Sequence, residues 1–113
     1  MKSKTIVMVM VIGMAMAGLT FAQIPKKGAP EIILKAGSKG DVQFPHRLHQ
    51  DTLVDCKICH DIFPQIPGII EDLKNKGQLK KKQVMNHCRG CHKNRARAGE
   101  KAGPTNCSKC HGK

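Results

Sequence analysis

Cys-Lys-Ile-Cys-His at residues 56–60 is the first of three copies of one pattern, which returns as Cys-Arg-Gly-Cys-His at 88–92 and Cys-Ser-Lys-Cys-His at 107–111. Cys-x-x-Cys-His is typical of covalent haem c attachment. On one helical turn, the two thiols can reach the vinyl groups of one porphyrin and the histidine can bind its iron. The sequence therefore predicts three attached haems, with these cofactor-binding residues: Cys56, Cys59, His60, Cys88, Cys91, His92, Cys107, Cys110 and His111.

Two other roles for paired cysteines fit the sequence less well. A structural zinc site takes two such pairs, or one pair with two histidines, so three pairs leave one unmatched. Six cysteines in a short exported chain also suggest a disulfide scaffold, but cysteines joined to their nearest neighbours would cross-link almost nothing. Neither alternative explains the histidine that follows each pair. Haem attachment is the preferred interpretation.

The first 22 residues have the features of an export signal. Lys2 and Lys4 give a positive start, residues 6–17 form an uncharged apolar run, and Thr20 and Ala22 are small residues before a cleavage site. The apolar run is short for a membrane-spanning helix of roughly 20 residues. We expect cleavage after Ala22, a periplasmic location without stable membrane insertion, and one mature domain over residues 23–113 that carries the three haems.

The composition of this mature domain does not suit an ordinary side-chain core. Leu, Ile, Val and Phe together number 18 of its 91 residues, Trp and Tyr are absent, and Phe44 and Phe63 are its only aromatic residues apart from histidine. Without Lys2 and Lys4, 18 basic residues stand against 8 acidic ones, which gives a net charge of +10. Such a composition lies at the edge of what is expected of disordered chains with a high net charge. We expect the apolar porphyrins to supply the missing interior.

The segments around the patterns predict a hairpin followed by short helices. Alternation and turn residues predict strands over 31–36 and 41–44, joined by a turn at 37–40. Pro45 opens a helical stretch with His46 and His49, and a loop over 63–68 leads into a helix that carries Ile69, Ile70 and Leu73. A second short helix is predicted to start at residues 80–82 and to end at Asn86.

Three histidines lie outside the patterns, namely His46, His49 and His87. Three irons with one pattern histidine each leave three axial positions, so six histidines suffice for three bis-histidine haems. The predicted iron ligands are His46, His49, His60, His87, His92 and His111.

The order of these residues resembles that of the class III cytochromes c, and in particular the small triheme cytochrome c7 type. The resemblance covers residues 31–113 and rests on Phe-Pro-His-x-x-His at 44–49, the three haem patterns, and Gly-Pro-Thr-Asn-Cys at 103–107. It implies a small multihaem cytochrome fold, in which an N-terminal two-stranded hairpin is followed by short helices and loops wrapped around three covalently bound haems. It also implies that His46 pairs with His60, His49 with His92, and His87 with His111.

Two features depart from the family pattern. His87 directly precedes Cys88, whereas the corresponding histidine of the family usually lies several residues before the second pattern. The segments before the second and third patterns are also longer than in the compact members. The first departure leaves His87, Met85 or an open position as alternatives for the sixth ligand of the third haem.

An iron with two protein imidazoles has no vacant position and can only change valence. The resemblance accordingly implies an electron-transfer protein rather than an enzyme, which moves electrons from inner-membrane, quinol-linked donors towards outer-membrane, terminal or extracellular acceptors. The alternative is a multihaem reductase with an open position at the third haem. A haem-free zinc or interaction module is a third possibility.

The positive charge suggests where partners bind. Haem propionates would offset much of it, so nucleic-acid binding is not expected, and we expect a monomer. Basic residues near the second and third patterns form a candidate docking surface for acidic redox proteins: Lys80, Lys81, Lys82, Arg95, Arg97 and Lys101. The simpler interpretation is a solvated face that keeps the protein soluble.

Overall fold

The computed structural model describes residues 27–112, so the predicted export signal lies outside the described residues. Two strands are followed by five helices. In chain order the elements are β1 (Ile32–Leu34), a 3₁₀ turn (Gly37–Lys39), β2 (Val42–Phe44), α1 (His46–Leu53), α2 (Lys57–His60), α3 (Ile69–Asn75), α4 (Gln83–Arg97) and α5 (Cys107–Cys110). Helix α4 contains one whole haem pattern, and two further helices, α2 and α5, each contain four of the five residues of another.

The predicted hairpin is confirmed. β1 and β2 are antiparallel, with Ile32 opposite Phe44 and Leu34 opposite Val42. The connecting turn is closed by an ion pair between Lys35 Nζ and the Asp41 carboxylate at 2.6 Å. Both strands are shorter than predicted, since pairing is limited to the three residues on each side, 32–34 and 42–44.

The predicted helix with His46 and His49 is also confirmed, and a sharp turn ends it. Val54 has φ 63° and ψ −40°, and the N–H of Asp55 donates to the Leu53 carbonyl at 2.7 Å. This hydrogen bond joins residues two positions apart and closes a γ-turn with positive φ, which is a rare and strained conformation. The Asp55 carboxylate then accepts the Lys57 N–H at 2.9 Å, where α2 begins. The γ-turn therefore separates α1 from the helical turn of the first haem pattern.

The helix predicted to end at Asn86 is wrong in extent. α4 begins at Gln83, after Lys82 in the left-handed region (φ 64°), and runs through the second haem pattern to Arg97. No proline interrupts residues 83–97. Because the second pattern must itself form a helical turn, the segment before it and the segment after it merge into one helix.

Side chains bury little of the described part of the chain. Phe63, with 6% of its surface exposed, is its single buried hydrophobic residue, whereas Leu48 and Ile66 are about 60% exposed. None of the helices between residues 27 and 112 has the length and hydropathy of a membrane-spanning segment. The hairpin and the helices therefore do not pack around an ordinary side-chain core.

Replacing all six cysteines with alanine should leave the chain unfolded. Ordering the backbone costs about 1–2 kcal/mol per residue, and full burial of one Phe side chain contributes only about 1.5–3 kcal/mol. Circular dichroism and amide hydrogen exchange of the variant, compared with the haem-loaded protein, provide the measurement. A cooperative unfolding transition in the variant would contradict this account.

Candidate haem sites

Each Cys-x-x-Cys-His pattern occupies one helical turn, as haem attachment requires. The N–H of His60 donates to the Cys56 carbonyl at 3.0 Å, and the N–H of His111 donates to the Cys107 carbonyl at 2.8 Å. The second pattern lies inside α4. All six cysteines are described, and none is joined to another.

Two of the three implied histidine pairs face each other. The ring centres of His46 and His60 are 6.1 Å apart, and those of His49 and His92 are also 6.1 Å apart. A metal–imidazole bond is about 2 Å long and the ring centre lies roughly 1 Å beyond the nitrogen, so two imidazoles on one metal have centres about 6 Å apart. These two pairs therefore fit an iron between them.

The hydrogen bonds of the histidines select the nitrogen that remains for the iron. In five of the six rings Nδ1 lies within 2.6–2.9 Å of a backbone carbonyl oxygen, so Nδ1 carries the proton and donates. Such a bond fixes ring orientation and leaves Nε2 free as a ligand. The carbonyl acceptors are Ala29 for His46, Pro45 for His49, Phe63 for His60, Pro104 for His92 and Gly40 for His111.

His87 has a different environment. Its ring packs edge-on against Phe63 with centres 5.8 Å apart, rather than facing His111. Its Nε2 atom is buried and has no hydrogen-bond partner. A buried polar nitrogen without a partner costs about 1–3 kcal/mol. This nitrogen therefore fits the donor set of an iron that is bound there.

Distant segments hold the second and third proximal histidines. Val42 forms an isolated backbone bridge with His111, which seats the last pattern against the hairpin. Pro104 holds His92, and a Cβ atom added to the neighbouring Gly103 would lie 2.5 Å from His92 Cε1. The Gly-Pro pair was recognised in the sequence as a turn and a family feature, but its contact with His92 is visible only in the fold.

Cysteines from the three different patterns lie near one another. Burial, and after it the nearby Cys59 and Cys110 thiols, raise the pKa of the unmodified Cys88 thiol to about 11. Burial and then Cys91 also raise the pKa of Cys59. These thiols belong to different patterns, so the attachment segments approach one another. Among residues 27–112, no group of three or more His, Cys, Asp or Glu side chains is arranged around a single metal ion.

Gly103→Ala should displace the His92 ring, because the added methyl group would overlap it. We expect a loss of about 1–3 kcal/mol in the free energy of unfolding and an altered low-spin signal from one haem. Denaturant unfolding and electron paramagnetic resonance measure the two effects. Gly112→Ala is the matched control, since a methyl group there meets nothing within 4 Å. Equal behaviour of the two variants would contradict the proposed contact.

Comparison with known proteins agrees with the geometry. The sequence model of the family "Cytochrome c7 and related cytochrome c" matches residues 42–112. A cytochrome c7 from Geobacter metallireducens is 36% identical over 111 residues, which cover 97% of this chain and 99% of the relative.

Solved structures from Geobacter sulfurreducens have the same fold. The oxidised triheme cytochrome PpcA is 40% identical with a TM-score of 0.52, over 75% of this chain and all of PpcA. PpcE, a cytochrome c7, is 30% identical with a TM-score of 0.51, over 74% of this chain and 97% of PpcE.

The family carries three covalently attached c-type haems and consists of electron-transfer proteins rather than enzymes. The six cysteines of this chain all lie in the three attachment patterns. The chain therefore belongs to the cytochrome c7 family, as a triheme c-type cytochrome of the electron-transfer class.

Proposed function

We propose that the chain shuttles electrons in the periplasm through three bis-histidine haems. The observation that carries the proposal is the pair of facing imidazoles, His46 with His60 and His49 with His92, each with centres 6.1 Å apart. In both pairs every Nδ1 is engaged by the backbone and every Nε2 remains available. Two imidazoles held in this way would both bind the iron of one haem and would leave no position for another ligand.

The haems supply the one-electron chemistry, and the residues set its conditions. Histidine pairs favour lower reduction potentials than a histidine with a methionine. The fixed Nδ1 bonds hold the rings in place, so a change of iron valence requires little rearrangement of the protein. This combination suits rapid transfer of single electrons better than substrate activation.

For the third haem we propose His87 as the partner of His111. The support is the buried Nε2 of His87, which lacks any other partner, and the Nδ1 bond of His111 to Gly40. Met85 precedes His87 by two residues on α4, so the two side chains point about 200° apart around the helix. The unpartnered nitrogen favours His87 over Met85 or an open position.

We propose that the chain is exported and cleaved after Ala22. The charged start, the apolar run and the small residues before Gln23 support this cleavage. The attachment patterns agree with it, because c-type haem is attached outside the cytoplasm.

We propose that acidic redox proteins bind the docking surface near the second and third haems, defined above by Lys80, Lys81, Lys82, Arg95, Arg97 and Lys101. Residues 80–112 contain nine Lys and Arg against one acidic residue, whereas residues 27–79 contain seven of each sign. Glu100, the one acidic residue, is paired with Arg95 at 2.8 Å. The charge is therefore concentrated in one part of the chain. Inner-membrane donors and outer-membrane or extracellular acceptors are the partners that this proposal includes.

Carbon monoxide binding tests the bis-histidine proposal. The absorption spectrum of the reduced protein should not change when carbon monoxide is added, because no iron has a vacant position. His46→Ala, His49→Ala and His87→Ala should each open one site and give a high-spin signal for about one haem in three.

Intact mass is the control, since it must show three haems on a chain that starts at Gln23 in every variant. Carbon monoxide binding by the unmodified protein would contradict the proposal at the third haem. An unchanged spectrum of the His87→Ala variant would assign that position to another ligand such as Met85.

Electron exchange with an acidic redox protein should slow as ionic strength rises, because complementary charges mainly increase the encounter rate. Lys80→Glu with Lys81→Glu should slow it at low salt and flatten its salt dependence, as measured by stopped-flow absorbance. Lys27→Glu with Lys39→Glu is the matched control, with two exposed lysines from the electrically neutral half. Equal effects of the two double variants would show that the docking surface is only a solvated face.

A further inference from the structure

One side of α4 borders an open groove of about 450 Å³. Six residues line it: Asn86, His87, Gly90, Cys91, Asn94 and Arg95. They form two adjacent rows along the helix, each with a spacing of four residues, which is the spacing of one helix face. The groove therefore follows a continuous stripe of α4.

Gly90 lies in the middle of this stripe and near the middle of a 15-residue helix. Glycine at such a position disfavours the helix relative to alanine. The backbone does not require it, since Gly90 is not among the residues with positive φ. Protein packing does not require it either, because an added Cβ would meet no atom within 4 Å outside its own helical turn. The described protein atoms therefore give no steric reason for this glycine, and its bare backbone borders the groove.

The position of the groove indicates which haem that group is. Two residues of the second pattern, Gly90 and Cys91, line the groove, whereas Cys88 and His92 form a row outside it. Two residues along a helix are separated by about 200°, so Gly90 faces nearly opposite Cys88. His87 does line the groove, and its Nε2 is buried without a partner. The groove therefore belongs to the haem that His87 binds.

We propose that Gly90 is a positioning residue for the third haem. The missing side chain lets the macrocycle of that haem lie against α4, within reach of His87. One uninterrupted helix then holds the second haem on its Cys88 face and the third haem on its Gly90 face. The inference rests on the proposed ligand role of His87 and adds the surface that seats the haem.

Gly90→Ala tests the inference, because helix propensity and haem seating predict opposite effects. A merely structural glycine would give a more stable helix and unchanged spectra. The proposal expects carbon monoxide binding and a high-spin signal at about one haem in three, with three haems retained in the intact mass. Ala96→Gly is the matched control, since it disfavours the same helix at an exposed position outside the groove and should leave all three haems low-spin.

The double variant Gly90→Ala with His87→Ala identifies the haem. If both residues serve one haem, the double variant opens a single site, as His87→Ala does alone. Two open sites would assign the groove to the second haem and overturn the inference. Unchanged spectra in Gly90→Ala, with an unmodified protein that binds no carbon monoxide, would overturn it while leaving the bis-histidine proposal intact. Carbon monoxide binding by the unmodified protein would instead defeat the ligand role of His87, and the inference with it.

Asn94→Asp provides a second measurement if the Gly90→Ala variant does not acquire its three haems. A carboxylate in the groove should lower the midpoint potential of one haem, because negative charge favours the oxidised iron. Ala96→Asp, outside the groove, should shift that potential less. Equal shifts in the two variants would overturn the inference.

Discussion

The hydrogen bond between an imidazole Nδ1 and a backbone carbonyl is the interaction on which the rest of this structure depends. It fixes the proton on Nδ1, orients the ring and leaves Nε2 as the only nitrogen that can bind iron. In five of the six histidines this acceptor is a main-chain oxygen. Main-chain acceptors survive side-chain substitution, so ligand geometry is set by the path of the chain.

These bonds also explain how a chain with one buried hydrophobic residue acquires a defined shape. Gly40 and His111 are 71 positions apart and are joined at 2.8 Å. Pro104 reaches back to His92, and Ala29 reaches forward to His46. Each of these three bonds ties a histidine to a segment at least 12 positions away in the sequence. The haems supply apolar contact area, and the carbonyls determine where that area must lie.

α4 shows how one element can serve two haems. In the proposed arrangement, its Cys88 face holds one haem, and its groove face, with His87 and Gly90, holds another. The same helix ends in the basic segment that contains Arg95 and Arg97. The proposed ligand and part of the proposed docking surface thus lie on one element, in the part of the chain where the positive charge is concentrated.

The sequence by itself determined the cofactor, the anchoring cysteines, the hairpin and the helix of His46 and His49, because those features depend on local patterns and spacing. The two facing histidine pairs followed from the family resemblance. Only the tertiary structure revealed the carbonyl acceptors, the contact of Gly103 with His92 and the extent of α4 beyond Asn86. The Gly103 contact and the acceptors of His46, His92 and His111 depend on which distant segments meet, and no local pattern encodes that. The extent of α4 has a local cause, since the helical turn of the second pattern joins the segments on either side of it. His87 lies between the two cases: its presence was visible in the sequence, but its buried, unpartnered nitrogen is a property of the fold.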